Sequence, residues 1–481
     1  MQTAKVDTVV HGGLVVTSTY AYEASIAIKG ETIAIVGPFE MMPPADNYID
    51  VTGKYVLPGA IDAHCHFENS DVVNIDDWTI GPMAAAYAGV TTLIPFAHWN
   101  LDTSKTLPHA IEHKLKEVTP QAVLDFGLHF FFPNNPAALE GLSDGIRESA
   151  RMGVNSIKMM MAYKKRGIIS RDDRIAKVME QVADNDGILM LHCESGDVID
   201  YLEEKALAEG KTHPRHFPST VPPWSEEEAV NRAVLLGAMT GCTTYVVHLS
   251  TMGGLERIKQ AQSLGQRIWT ETCPQYLLLD ADEAMERFGP YVKIGPSLRS
   301  ATEGHQEALW RGTADGYISA IATDHSPKLA EDKEPGWENI FLRPDGQPVP
   351  WGAPQLETFI PLVYSEGVVK RGLPLTWMAR VIAENPARMF GIYPKKGVIQ
   401  PGADADLLII DPQAKNTIRA VDHHGKAGMT PFEGWEVQGW PRMTLLRGRV
   451  LLNQGKLQQE PGYGQFLAAG DLMPPISGRV K

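Results

Sequence analysis

Cysteine is scarce: Cys65, Cys193, Cys242 and Cys273 are the four in 481 residues, none in CxxC spacing and each inside an apolar, strand-like run. That argues against a disulfide-stapled secreted scaffold and makes a reducing cytoplasm the expected compartment. Long hydrophobic runs are missing too. No stretch reaches the ~18 apolar residues of a membrane-spanning helix, and MQTAKVDTVVHGG lacks the charged start and apolar core of a signal peptide. Positive charge is in the minority, with 44 Lys and Arg against 58 Asp and Glu, a net charge of −14. Nucleic acid and anionic membranes select clustered basic surfaces, so neither is an expected partner. No internal repeat or low-complexity tract occurs, which excludes a solenoid.

What is present is an ordinary globular composition, 43% hydrophobic and 21% charged, long enough to bury a large core. Both ends read as short strands. VDTVVHGGLVVT and ASIAIKGETIAIVG near the start resemble GADADLLIIDP and MTLLRGRVLLNQGK near the end in their β-branched or alternating runs and tight turns. The economical expectation is one small β-sandwich domain, built from residues 1–56 and 394–460, with a different unit inserted between them. That unit, residues 57–393, alternates apolar runs (YVLPGAIDAH, VTTLIPF, VLDFGLHFF, VNSIKMMMA, ILMLHCE, TTYVVHLS, RIWTETC, ISAIATDHS) with amphipathic stretches such as RIAKVMEQVADN and GLERIKQAQSLG. Eight strands alternating with helices predict an α/β fold, a (β/α)8 TIM barrel. Residues 461–481 form an extended arm whose Tyr463, Phe466, Leu467, Leu472 and Met473 need a surface to cover, on their own subunit or a neighbouring one.

Barrel enzymes draw their chemistry from the C-terminal ends of the strands. Here those ends carry His64 and His66, Lys158, His192, His248 and Asp324. Residues two apart on a strand share a face, so His64 and His66 can reach one ion. A single histidine at a strand end is more often a hydrogen-bonded core residue, and Asp324 in ATDHSP could serve as a turn residue. Lys158 is harder to dismiss, because burying its charge within SIKMMMA costs several kcal/mol. Six such positions on five strand ends are difficult to produce by packing alone. Imidazoles with carboxylate oxygen suit divalent ions such as Zn²⁺.

With these motifs in hand, the chain resembles the cyclic-amidase branch of the amidohydrolase superfamily: hydantoinases, dihydropyrimidinases, allantoinases and dihydroorotases. The resemblance rests on VLPGAIDAHCHFE, NSIKMMMAY, LHCES, VVHLS, ETCPQYL, ATDHSP and ENPARMFGIYPKKGVIQPGADADLLIID, and is nearest to bacterial hydantoinases, including in DKEPGW and GYGQF. It implies two divalent metal ions, Zn²⁺ or Mn²⁺. His64, His66 and Asp324 would hold the more buried ion and His192 and His248 the more exposed one, with Lys158, carboxylated by CO₂, bridging both. Charge supports that modification: two ions with an ammonium total about +5, whereas a carbamate, an aspartate and a bridging hydroxide bring the sum to about +1. The implied activity is hydrolysis of the C–N bond of a small cyclic amide or ureide. Hydroxide would attack the carbonyl, Asp324 would act as general base, and Tyr163 would stabilise the oxyanion. A homotetramer, or at least a dimer, is implied as well.

The pattern departs from the family in places. Dihydroorotases place an arginine two residues after HxH, and Glu68 stands there, which disfavours a dihydroorotase. In the late loops, IGPSLRS offers Ser297 as a substrate contact, and PWGAP puts Trp351 where dihydropyrimidinases use asparagine. An aromatic wall there would suit a bulkier or flatter substituent. Allantoinase, dihydropyrimidinase and cyclic imide hydrolase remain alternatives. A non-catalytic homologue is disfavoured because all six ligand positions are intact.

Overall fold

The computed structural model describes residues 5–67, 75–102, 104–458 and 460–478. Its middle is a curled parallel sheet flanked by helices. Ala60–Asp62, Val90–Leu93 and Asp125–Phe126 pair in parallel. A second run passes through Phe96–His98, His129–Phe131, Ser156–Met160, Ile188–His192, Thr243–Val246, Ile268–Thr272 and Ala320–Ile321. The sheet curls back on itself: Asp324 N donates to His64 O at 2.8 Å and His66 N to His325 O at 2.7 Å. These strands are buried on both faces, which explains their continuous apolar runs.

Two of the expected strands are broken. VTTLIPF and VLDFGLHFF each divide in two, at Ile94–Pro95 and at Gly127–Leu128. The first run also spans two sheets. Tyr55–Pro58 pairs antiparallel with Leu407–Ile410 in an end sheet, and the chain then turns through Gly59 into Ala60–Asp62. A Cβ on Gly59 would lie 2.2 Å from Thr91 Oγ1, so only glycine passes here. The amphipathic stretches are helices as read. Asp172–Ala183 buries Ile175, Val178, Met179 and Val182, the spacing of a single apolar stripe. Thr251 caps Met252–Ser263 by accepting from Gly254 N at 3.2 Å.

Both chain ends meet in one seven-stranded sheet, where Leu14–Val16, Ala21–Glu23 and Tyr55–Pro58 lie beside Leu407–Thr417, Glu436–Leu446, Arg449–Asn453 and Lys456–Leu457. A four-stranded sheet of Val6–His11, Ser25–Lys29, Thr32–Gly37 and Ala45–Asp50 packs with it around Val10, Ile26, Ile28, Val56, Leu407 and Leu445. A buried ionic cluster joins this layer to the curled sheet. Lys396 Nζ lies 2.6, 2.9 and 2.7 Å from Asp125, Asp404 and Asp406, and Arg447 also pairs with Asp125.

The C-terminal arm covers its own chain. Leu467 N donates to Phe126 O at 2.7 Å, Ala469 N to Gly153 O at 2.9 Å and Met473 N to Arg388 O at 2.9 Å. Leu467 enters the cluster inside the curled sheet with Ile61, Ile188, Tyr245 and Phe390. The arm's apolar side chains therefore have a surface on their own subunit.

Candidate active site

The strand ends open into a cavity of about 640 Å³ lined by His64, His66, Lys158, His192, His248 and Asp324. Asp324 Oδ1 lies 3.2 Å from Nε2 of both His64 and His66. Burial works against its charge, but His64 and the hydrogen bonds from both imidazoles hold its pKa well below the usual carboxylate range. Ligand atoms of these three residues all lie within 4.8 Å of one another. His192 Nδ1 and His248 Nε2 approach to 2.9 Å. Burial lowers the pKa of His66 to about 4, lowers that of His192, and puts that of His248 well below its ordinary value, so these three rings are neutral at pH 7.

Two further observations fit a metal site. His64 Nδ1 is hydrogen-bonded to Glu271 and His192 Nε2 to Glu194, the latter at 2.6 Å. A carboxylate on the far nitrogen is how a ligating histidine is oriented and made more basic. Lys158 is buried, its Nζ 5.0 Å from the Phe96 ring, and burial depresses its pKa to about 8. An appreciable neutral fraction, the form that reacts with CO₂, is thus available near neutral pH.

The backbone supports a functional reading. His248, Asp324 and Tyr163 have φ of 39°, 52° and 67°, in the left-handed region that side-chain-bearing residues rarely adopt. Such conformations cost about 1–3 kcal/mol each and cluster at functional sites.

The amidohydrolase family model matches residues 55–451. A D-hydantoinase of Geobacillus stearothermophilus is 36% identical over 465 residues, 95% of each chain. An L-hydantoinase of Paenarthrobacter aurescens is 33% identical, over 96% of this chain and 98% of its own. Among solved structures, a dihydropyrimidinase from Brevibacillus agri superposes with a TM-score of 0.90 at 31% identity, covering 97% of this chain and all of its own. The chain belongs to the amidohydrolase family.

In this amidohydrolase Tyr163 lies beside the histidines, its ring centroid 4.9 Å from that of His192. Its hydroxyl reaches the backbone of the 293–298 loop, where a Cβ on Gly295 would stand 2.0 Å from it. Burial raises the Tyr163 pKa well above its ordinary value, so the phenol remains a proton donor. Trp351 lines the cavity, its ring 5.4 Å from that of Tyr163 and 5.1 Å from that of Phe217. Ser297 sits in the segment that begins at Lys293. It is fully buried off the cavity wall, and Lys293, Ile294 and Gly295 of the same segment line the cavity instead. Glu68 lies outside the described residues.

Sequence reasoning passed over three acids. Glu194 and Glu271 hold the histidines. Asp62 ties strand ends together, accepting from His64 N at 3.2 Å, Thr323 N at 3.1 Å and Thr323 Oγ1 at 2.6 Å. The signal that singled out Lys158, a charged residue in a strand that must be buried, applied equally to Glu271 in IWTET.

Proposed function

We propose that this amidohydrolase is a metal-dependent hydrolase that opens the C–N amide bond of a hydantoin-type cyclic amide or ureide. The observation carrying the proposal is the convergence of four imidazoles, Asp324 and a buried lysine in one cavity, with carboxylates behind two of the histidines. We assign one divalent ion to His64, His66 and Asp324, a second to His192 and His248, and a carboxylated Lys158 between them, with Zn²⁺ the preferred metal. When bound, such ions supply Lewis acidity toward the amide carbonyl and acidify water.

The chain's own groups do the rest. Asp324 is ionised and faces the cavity, so it accepts the proton released when water attacks and returns it to the departing ring nitrogen. Tyr163, protonated and beside His192, donates a hydrogen bond to the carbonyl oxygen as negative charge grows on it. Trp351 flanks the substrate ring.

A dihydropyrimidine ring is the second reading, favoured by the structural likeness to the Brevibacillus agri dihydropyrimidinase. We further read the curled sheet as a (β/α)8 barrel over 57–393, with the end sheets as one β-sandwich, residues 461–481 as the arm, and the working protein as a cytoplasmic homotetramer or dimer. A panel of hydantoin, substituted hydantoins, dihydrouracil, allantoin and succinimide tests the function, alongside metal analysis of protein grown with zinc. Turnover of none of them, or fewer than about one metal per chain, would overturn it.

A further inference from the structure

Away from the ligand positions the cavity lining has more cations than carboxylates, opposite in sign to the chain's net charge. Five cations, Lys165, Arg166, Lys293, Lys328 and Arg343, line it beyond the ligand positions, against the carboxylates of Asp200, Glu203 and Asp332, in a chain of net charge −14. Lys165 and Arg343 are ion-paired, and the Asp332 carboxylate also acts on Lys328. Lys165 pairs with Glu203 at 3.0 Å, and Arg343 pairs with Asp345 at 3.3 Å and lies 3.8 Å from Asp332.

Arg166 and Lys293 make no ion pair among the described residues. Arg166 lies over the Tyr163 ring at 5.2 Å. Lys293 is 1% exposed and spends one of its three N–H groups on Val349 O at 3.0 Å. Its ammonium lies 5.1 Å from the centre of Trp351 and 5.8 Å from that of Phe217, and the Glu203 carboxylate acts on it without forming an ion pair. The environment is costly for both it and its neighbour. Burial lowers the Lys293 pKa to about 7, while burial and then the charge of Arg166 bring Lys328 to about 8. A buried cation with no carboxylate in contact favours an anion beside it.

The cations also have a defined place relative to the chemistry. Tyr163 packs against the His192 ring and carries Arg166 in contact with its own ring, while Trp351 packs on Tyr163 and Lys293 lies over Trp351. An anion held there stands one or two aromatic rings from the reacting carbonyl. That is where a substituent of the ring lies, not the scissile amide.

We propose that Arg166 and Lys293 form an anion-recognising subsite, and that the substrate is a cyclic amide or ureide whose substituent ends in a carboxylate. The proposal rests on the ring-opening reading above and names its substrate class. Arg166 supplies a planar pair of donors to the carboxylate, and Lys293 supplies N–H groups beyond the one given to Val349 O.

The test compares carboxyethyl-substituted hydantoin with its carboxamide, which matches it in size and lacks the charge. The expected kcat/KM ratio of acid to amide is about tenfold or more in favour of the acid at low salt, falling as ionic strength rises. Arg166→Ala should cut that ratio by about tenfold, chiefly through KM, while Arg166→Lys retains much of it. Because the ratio is internal to each variant, a general loss of activity or folding does not imitate the effect. A ratio near one in the parent protein, or one that Arg166→Ala leaves unchanged, would overturn the subsite. Should neither compound nor any unsubstituted ring be opened, the ring-opening reading fails. Calorimetric binding of the same pair then decides the subsite: tighter binding of the acid, weakened by Arg166→Ala, supports it, and equal binding of acid and amide rejects it.

Discussion

Replacing Lys396 by methionine tests how the two layers of the molecule are fastened. Lys396 is 1% exposed and lies within 2.9 Å of Asp125, Asp404 and Asp406. Methionine matches the stem and removes the charge, leaving three buried carboxylates with Arg447 as the remaining cation in contact. Removing one partner of a buried ion pair costs about 3–5 kcal/mol, since the penalty is the uncompensated charge left behind. Three carboxylates sharing one cation put the expected loss at the upper end, about 4–5 kcal/mol near pH 7.5.

The pH dependence has a definite sign. Burial already raises the Asp406 pKa above its unfolded value, and without the lysine it rises further. A group whose folded pKa is raised contributes stability that is present at low pH and lost as pH rises through the folded value. The deficit of Lys396→Met should therefore shrink as pH falls from 7.5 toward 5. Urea unfolding at the two pH values measures it, with hydrogen exchange along Leu407–Thr417 reporting whether the junction opens first. A deficit below about 1 kcal/mol, or one equal at both pH values, would refute the reasoning.

Lys158→Ala should lose both metals and activity, with short-chain carboxylic acids restoring part of the turnover; a variant that keeps two metals and normal rates would refute the carbamate assignment. Tyr163→Phe should lower kcat by about 10²–10³ with little change in KM, as expected for a donor acting on developing charge; a change confined to KM would make Tyr163 a binding residue only. Leu467→Ala should cost about 2–5 kcal/mol in urea unfolding, because the side chain fills the interior of the curled sheet; a loss near zero would show the arm to be peripheral.

Local pattern accounts for much of this protein. The alternation of apolar runs with amphipathic stretches determined the strands and helices of the middle, because periodicity reports which face of an element is buried. His64 and His66, two apart on an extended segment, were bound to share a face. Lys158, charged within an apolar run, stood out because burial of a charge needs a chemical reason. β-rich ends around a different middle announced that the ends belong together. What tertiary structure alone decided are relations between distant residues. Glu271 orients His64 from 207 positions away. Gly59 turns one apolar run through two sheets because Thr91 leaves no room for a side chain. The 293–300 segment presents Lys293 and Gly295 to the cavity while Ser297 is buried off it, and the arm closes over its own chain. Hydrophobic periodicity encodes burial, but not which partner a buried polar group meets. That partner depends on how separate segments pack, which no local window of sequence contains.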